Sequence, residues 1–283
     1  MKTYKPTTPS RRMMTGIDYS VLTKKEPEKS LLLSFKQRAG RANTGRVTVR
    51  HQGGGVKRLY RIVEFGQPVL DVPAQVLALE YDPYRTSFIA LIQYQNNASA
   101  GLSAGKKYYI IAPQDLKVGD EIVFSEKALI KTGNRTLLKN LPVGANVYNI
   151  EIEPNRGGLL VRGAGTSAQV LAQDGDFTHL KMPSTEVRKI RGNCFASIGT
   201  VSNPEHRFVN IGNAGRARRM GIRPGVRGTA MNPCDHPHGG GEGRQPIGLK
   251  HPKTRWGKPA LGVKTRKRKK LSNKYIIKRR IKN

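Results

Sequence analysis

AQVLALEYDPYRTSFIALIQY, residues 74–94, decides the fold class. Two runs of apolar, branched and aromatic residues, 74–80 and 86–94, flank Tyr81-Asp82-Pro83-Tyr84. In the second run Phe88, Ala90, Ile92 and Tyr94 share one face of an extended chain. Asp82 can bond the backbone two residues on, and Pro83 carries a preset φ, so the middle reads as a turn. The whole stretch reads as a β-hairpin.

Outward from it the pattern repeats. Short candidate strands follow at 108–111, 121–124, 147–152, 159–162, 168–172 and 194–201. Turn residues punctuate the gaps: Gly119-Asp120, Gly133-Asn134, Pro154-Asn155 and Asp174-Gly175. No helix of ten or more residues is expected between 61 and 203. Many short strands at close spacing argue for small barrels over a parallel sheet. A break near 131–146 divides the region, so the expected fold is mainly β, two small β-barrels in tandem over 61–130 and 131–203.

The flanks are different material. Of 51 Lys+Arg and 19 Asp+Glu in 283 residues, residues 1–60 hold 14 basic and 3 acidic, and residues 204–283 hold 22 and 3. Residues 61–203 hold 15 and 13, a near-neutral body between two polycations. These flanks, 1–60 and 204–283, read as long, basic, irregular extensions that repel one another and stay unordered until they meet a polyanion. Nucleic acid suits them better than a membrane surface, because no long amphipathic pattern with aromatic anchors accompanies the charge. No run of about 18 apolar residues suggests a membrane span, and the first residues lack the apolar middle of a secretory signal. Cys194 and Cys234 are too few for a disulfide framework and fit a reducing compartment. Short helices are expected at Ala214 to Met220, with Asn213 as cap and Gly221 as terminator, and in the last ten residues.

Three motifs invite chemistry. His51-Gln52-Gly53-Gly54-Gly55-Val56-Lys57-Arg58 offers glycines that let backbone approach a phosphate, although no Gly-Lys-Ser/Thr makes it a Walker loop. Gly163-Ala164-Gly165-Thr166-Ser167-Ala168 imitates a dinucleotide fingerprint, but the turn at Asp174-Gly175 comes too soon for a crossover helix. Met231 to Arg244 gathers Cys234, Asp235, His236 and His238. Their spacing is wrong for a closed zinc site, since no C-x-x-C or second ligand pair accompanies them. The preferred reading is a proline-braced, glycine-rich loop whose imidazoles donate hydrogen bonds beside RNA, with His236 steered by Asp235. Arg216, Arg218, Arg219, Arg223 and Arg227 supply planar forks for phosphate. Aromatics are 6% of the chain, with one Trp, so backbone binding is expected over base stacking.

Together the strings RHQGGGVKRLYR (50–61), YDPYR (81–85), PNRGGLLVRGAGTSAQV (154–170), GNAGRARRMGIRPGVRGTAMNP (212–233) and DHPHGGGEGR (235–244) closely resemble the universal large-subunit ribosomal protein two family. WGKPALGVKTRKRKK (256–270) and YIIKRR (275–280) resemble it too, and the bacterial or organellar branch fits better than the archaeal or eukaryotic one. The resemblance runs from about residue 35 onward. Cys234, Gly163 and Gly225 depart from it, standing where an aliphatic residue, Ser or Ala, and Thr are usual.

The resemblance implies an OB-like barrel followed by an SH3-like barrel, with basic extensions entering ribosomal RNA. It implies a structural constituent of the large subunit, in a cytoplasmic rather than organellar ribosome, that is not an enzyme. Its expected partners are rRNA, other ribosomal proteins and the small subunit through a bridge, with no membrane and no small-molecule substrate. It also implies support for subunit association, tRNA positioning and assembly of the RNA-based peptidyl transferase centre. Arg85 and Arg156 carry over as rRNA contacts, and Asp235 and His236, with His238, as the loop tied to peptidyl transfer. To these the expected RNA-binding set adds Arg50, His51, Lys57, Arg58, Arg162, Arg216, Arg218, Arg219, Arg223, Arg227, Arg244, Lys267 and Arg268. No catalytic residue, metal or cofactor is expected. A nuclease built on Asp235, His236 and His238 is the rival enzyme reading. It lacks carboxylates, for residues 204–283 hold only Glu205, Asp235 and Glu242. A DNA-compacting protein would share the charge without needing a two-barrel body.

Overall fold

The computed structural model describes residues 1–23, 26–95, 106–242 and 246–280. It is mainly β, and every strand ladder is antiparallel. Two short ladders come first: β1 (Lys2–Thr3) with β2 (Thr15–Gly16), and β3 (Leu32–Ser34) with β4 (Leu59–Arg61). A four-stranded sheet follows, built from β5 (Pro73–Glu80), β6 (Ile89–Tyr94), β7 (Lys107–Ile111) and β8 (Glu121–Val123) in the order β7-β6-β5-β8. A seven-stranded sheet takes β9 (Arg135–Leu137), β10 (Asn146–Tyr148), β11 (Ala168–Asp174), β12 (Phe177–Lys181), β13 (Val187–Arg191), β14 (Phe195–Ile198) and β15 (Ile276–Lys278). Its order is β15-β13-β12-β11-β10-β14-β9. Neither ladder closes on itself among the described residues.

The hairpin that decided the fold class is β5 and β6. Asp82 accepts the Tyr84 amide at 2.8 Å, which makes the expected turn. Phe88, Ala90, Ile92 and Tyr94 enter one core with Val72, Val76, Ile122 and Phe124. The alternate residues of β6, Ile89 and Leu91, are buried as well, beside Val63, Tyr109, Ile111, Tyr148 and Val201. β6 is therefore covered on both faces, which is why it reads as an almost unbroken apolar run. Tyr148 and Val201 belong to the second half of the chain, so this core joins the halves. The seven-stranded sheet closes over a third cluster, Leu138, Val147, Ile150, Val170, Leu180, Ile190, Cys194 and Ile198.

Several sequence expectations are corrected. Residues 159–162 form no strand beyond a single bridge from Leu160 to Ile150, because Val161 takes a left-handed φ of 53°. β12 and β13 were not expected. Only Thr178, Leu180 and Ile190 are buried there, and Lys181, Arg188, Lys189 and Arg191 interrupt the apolar pattern. The final residues hold a strand where a helix was expected: β15 pairs Ile276 with Arg188 and Lys278 with Val187. Of the expected helices, the one at Ala214–Arg219, labelled α2, appears as read, with Gly221 at φ 91° after it. A short helix at Pro9–Arg12, α1, precedes it in the chain.

The ends also do more than repel. One compact unit comprises residues 1–36, 57–213 and 274–283; the other comprises 37–56 and 214–273. The second unit is thus made of a segment from each basic flank. Its segments meet through backbone, where their charges do not oppose: Gly53 N–H donates to Gly221 O at 2.8 Å, Val56 N–H to Arg219 O at 3.0 Å, and Arg223 N–H to His51 O at 2.9 Å. A Cβ on Gly55 would lie 2.9 Å from the Gly221 backbone, so the glycine run lets two main chains touch. Gly221 is the only buried residue of this unit among those described. No helix among the described residues is long and apolar enough to cross a membrane.

Candidate RNA interface

On the first unit, arginines alternate with aromatic rings. The Arg85 guanidinium sits 5.2 Å from the Tyr60 ring centroid and 5.3 Å from that of Phe65. Arg162 lies 4.4 Å from the Phe65 centroid, and Arg58 lies 4.8 Å from that of Tyr84. Tyr60 packs edge-on against Phe35 and Tyr84, with centroids 5.1 and 5.4 Å apart. Burial, and then the neighbouring Arg85 charge, hold the Arg162 guanidinium below its ordinary pKa. Sequence reasoning found the three arginines but missed the rings between them. Tyr60, Phe65 and Tyr84 each stand within four residues of one of these arginines or of Arg61, which was the available signal.

Arg85 is anchored within the fold. It pairs with Asp82, donates to Tyr60 Oη at 3.0 Å, and keeps 14% of its side-chain exposure, while Asp82 has none. Removing Arg85 would strip the buried Asp82 carboxylate of its cation, so Arg85 has a structural role. Arg156 does stand at a loop edge, 69% exposed and paired with Glu153.

The loop bearing Arg156 is organised from beneath by a buried ion pair. Arg135 donates to Glu151 at 3.1 Å, to Asn149 O at 2.7 Å and to Gln67 Oε1 at 3.1 Å. The other lone pairs of Glu151 take the amides of Asn155 and Gly157 at 3.2 Å and of Phe195 at 3.0 Å. Burial lowers the Arg135 pKa, and the Glu151 carboxylate opposes that shift. Neither residue was singled out from sequence.

In the second unit, α2 carries Arg216, Arg218 and Arg219 in its last turn, and Arg223 and Arg227 follow it as exposed side chains. Lys267 and Arg268 are exposed, as are Arg50 and His51; Lys57, on the first unit, is exposed too. Arg244 lies outside the described residues. In the 231–242 loop the Asp235 and His236 amides donate to Asn232 O at 3.0 and 3.3 Å, and Gly239 N–H donates to His236 O at 2.8 Å. A Cβ on Gly228 would meet the His236 ring at 2.5 Å, so the imidazole lies against bare backbone. His236 Nδ1 accepts the His238 amide at 3.0 Å, and His238 Nε2 accepts the Lys253 amide at 2.8 Å. The main chain of His238, rather than the expected Asp235 carboxylate, steers His236. An acceptor Nδ1 leaves the proton on Nε2. Desolvation, with His238, Arg255 and Arg50 nearby, keeps the His236 pKa below its ordinary value. Among the described residues no group of three His, Cys, Asp or Glu side chains could hold a metal ion.

Two family models match the chain. Residues 28–124 match "Ribosomal Proteins L2, RNA binding N-terminal domain", and residues 131–257 match "Ribosomal Proteins L2, C-terminal domain". The chain belongs to the ribosomal protein L2 family. The four-stranded sheet lies in the OB-like N-terminal domain of this L2 chain, and most of the seven-stranded sheet in its SH3-like C-terminal domain. As an L2 protein it is an RNA-binding, structural constituent of the large ribosomal subunit, and not an enzyme. The C-terminal match takes in the 231–242 loop and α2, and the N-terminal match takes in Phe35, Arg58, Tyr60 and Arg85.

Proposed function

We propose that this L2 chain organises large-subunit rRNA through two kinds of surface. One is the arginine–aromatic cluster of Arg58, Arg85 and Arg162, with Arg156 at the neighbouring loop edge. The other is the coreless second unit, whose sequence holds 20 basic and 2 acidic residues. A surface so charged and so poor in apolar contacts is stabilised by phosphates far better than by itself. That imbalance is the observation that carries the reading. Arg50, His51, Lys57, Arg216, Arg218, Arg219, Arg223, Arg227, Arg244, Lys267 and Arg268 make backbone contacts in it. The loop with Asp235, His236 and His238 supports the RNA of the peptidyl transferase centre, with His236 offering one oriented Nε2–H donor. Subunit association through a bridge and tRNA positioning follow from holding that RNA in shape, in a cytoplasmic ribosome.

Large subunits reconstituted with His236→Ala test the finer role. Incorporation and rRNA affinity are expected to hold, while subunit association and peptide-bond formation fall. Normal activity of such particles would reduce His236 to a loop residue with no part in the centre.

A further inference from the structure

Trp256 is the single tryptophan of the chain, and it stands at the tip of a built hairpin. Across residues 252–260, Thr254 N–H donates to Lys258 O at 2.7 Å, Gly257 N–H to Thr254 O at 2.9 Å and Ala260 N–H to Pro252 O at 2.9 Å. Gly257 holds φ at 76°, and a Cβ there would meet no atom within 4 Å, so it is the backbone twist of the turn that calls for glycine. The root is fastened by the Lys253 amide on His238 Nε2, 2.8 Å away. This finger therefore points in a fixed direction from the histidine loop.

Trp256 is 71% exposed. The guanidinium carbons of Arg50 and Arg255 lie 5.9 and 5.7 Å from the ring centroid, at the outer limit of cation–π attraction. A large indole left in water forgoes more burial than any other side chain would. A flat, exposed π-surface with two cations near it suits a ligand that is flat, apolar on its faces and flanked by negative charge. An unpaired nucleobase with its two phosphates has that form. A protein groove would have to bring strong acidity to a unit with 2 acidic residues against 20 basic ones.

We propose that the Trp256 hairpin is a stacking site for an unpaired base of RNA, with Arg50 and Arg255 taking the neighbouring phosphates. The site rests on the RNA-binding reading and adds to it a contact that duplex RNA cannot make.

Because Trp256 is the only tryptophan, its emission reports on this site alone in the full-length protein. Single-stranded oligo(A) is expected to quench that emission and shield it from acrylamide. Duplex RNA with the same number of phosphates is expected to bind, as read by anisotropy of an end label, and leave the emission nearly unchanged. Trp256→Ala, at an exposed position that folding does not need, should weaken oligo(A) binding roughly 5- to 150-fold and leave duplex affinity alone. Trp256→Phe should recover most of the loss. Bound oligo(A) with unchanged emission, or equal quenching by the duplex, overturns the stacking site while the RNA-binding reading stands. A blue shift with phosphatidylserine vesicles and none with oligo(A) assigns the finger to a lipid surface instead. Failure of every RNA to bind overturns the broader reading, and the stacking site with it.

Discussion

Arg85 and Arg156 stand on comparable turns yet differ in what their removal does. Asp82 is fully buried beneath Arg85, so Arg85→Ala leaves a carboxylate in the interior without its cation. That is expected to cost about 3 kcal/mol in urea unfolding. Arg156 is mostly in solvent with Glu153, and Arg156→Ala should change stability by less than about 0.5 kcal/mol. Both should weaken binding to an rRNA fragment by ~1–3 kcal/mol, so only the stability arm separates them; an Arg85→Ala protein as stable as its parent removes Asp82 from the account. His236 gives a second residue-scale expectation. Its folded pKa lies below the ordinary 6.5, so the fold binds this proton less readily than the unfolded chain. Whatever stability His236 confers is fully present above 6.5 and is lost as pH falls towards its own lower midpoint. Protonation would place a hydrogen on Nδ1, where the His238 amide now donates. A nitrogen-detected NMR titration should show an Nε2–H tautomer and a midpoint below 6.5; a midpoint above it would contradict the geometry.

Elements depend on such residues through their loops. The segment after β10 holds its shape because Glu151 gathers three amides and Arg135 neutralises it. Glu151→Gln keeps the volume but removes the charge and turns one oxygen into a donor facing donors. Hydrogen exchange should then quicken at Asn155, Gly157 and Phe195 before the strands open, with an overall loss of about 3 kcal/mol. Unchanged exchange at those three amides would show that the loop is held by something else. None of this was visible in the sequence, where Arg135 reads as one more surface cation among 51 basic residues. β5 and β6 were legible because alternation and the Asp82-Pro83 turn speak locally. β12 and β13 were not, since only Thr178, Leu180 and Ile190 are buried and the lysines and arginines among the rest mimic a solvated charged loop. β15 was hidden for another reason: its partner is β13, a pairing between distant segments that no local pattern announces. The candidate site followed the same division. Its arginines were plain in the sequence, while the rings beside them are brought there only once distant segments meet. The His238 amide that aims His236 depends on a local turn that residue types alone do not announce.

Among the described residues, one unit holds three apolar clusters and the other holds none. The first can offset the entropy of ordering its chain by burial; the second relies on backbone hydrogen bonds and on whatever neutralises its charge. Free protein treated with trypsin at low dose should be cut first within 37–56 and 214–273, and rRNA should protect those cuts. Uniform resistance without RNA would mean that the second unit is stable alone. The same asymmetry governs salt dependence. Each phosphate neutralised by a lysine or arginine releases counterions, contributing roughly −0.9 on duplex or −0.7 on single strands to the slope of log affinity against log salt. Lys264, Lys267, Lys269 and Lys270 are exposed and run along one bare stretch of the second unit, so replacing all four by Gln should leave unfolding unchanged. If each meets a phosphate, the slope for an rRNA fragment should become shallower by about 3. If that stretch is only solvated charge, the slope will hold while affinity at low salt drifts by a small, distance-screened amount. Measuring the slope at several salt concentrations separates the two, because screening alone fades once the Debye length falls below the spacing to RNA, whereas released counterions keep the plot linear throughout.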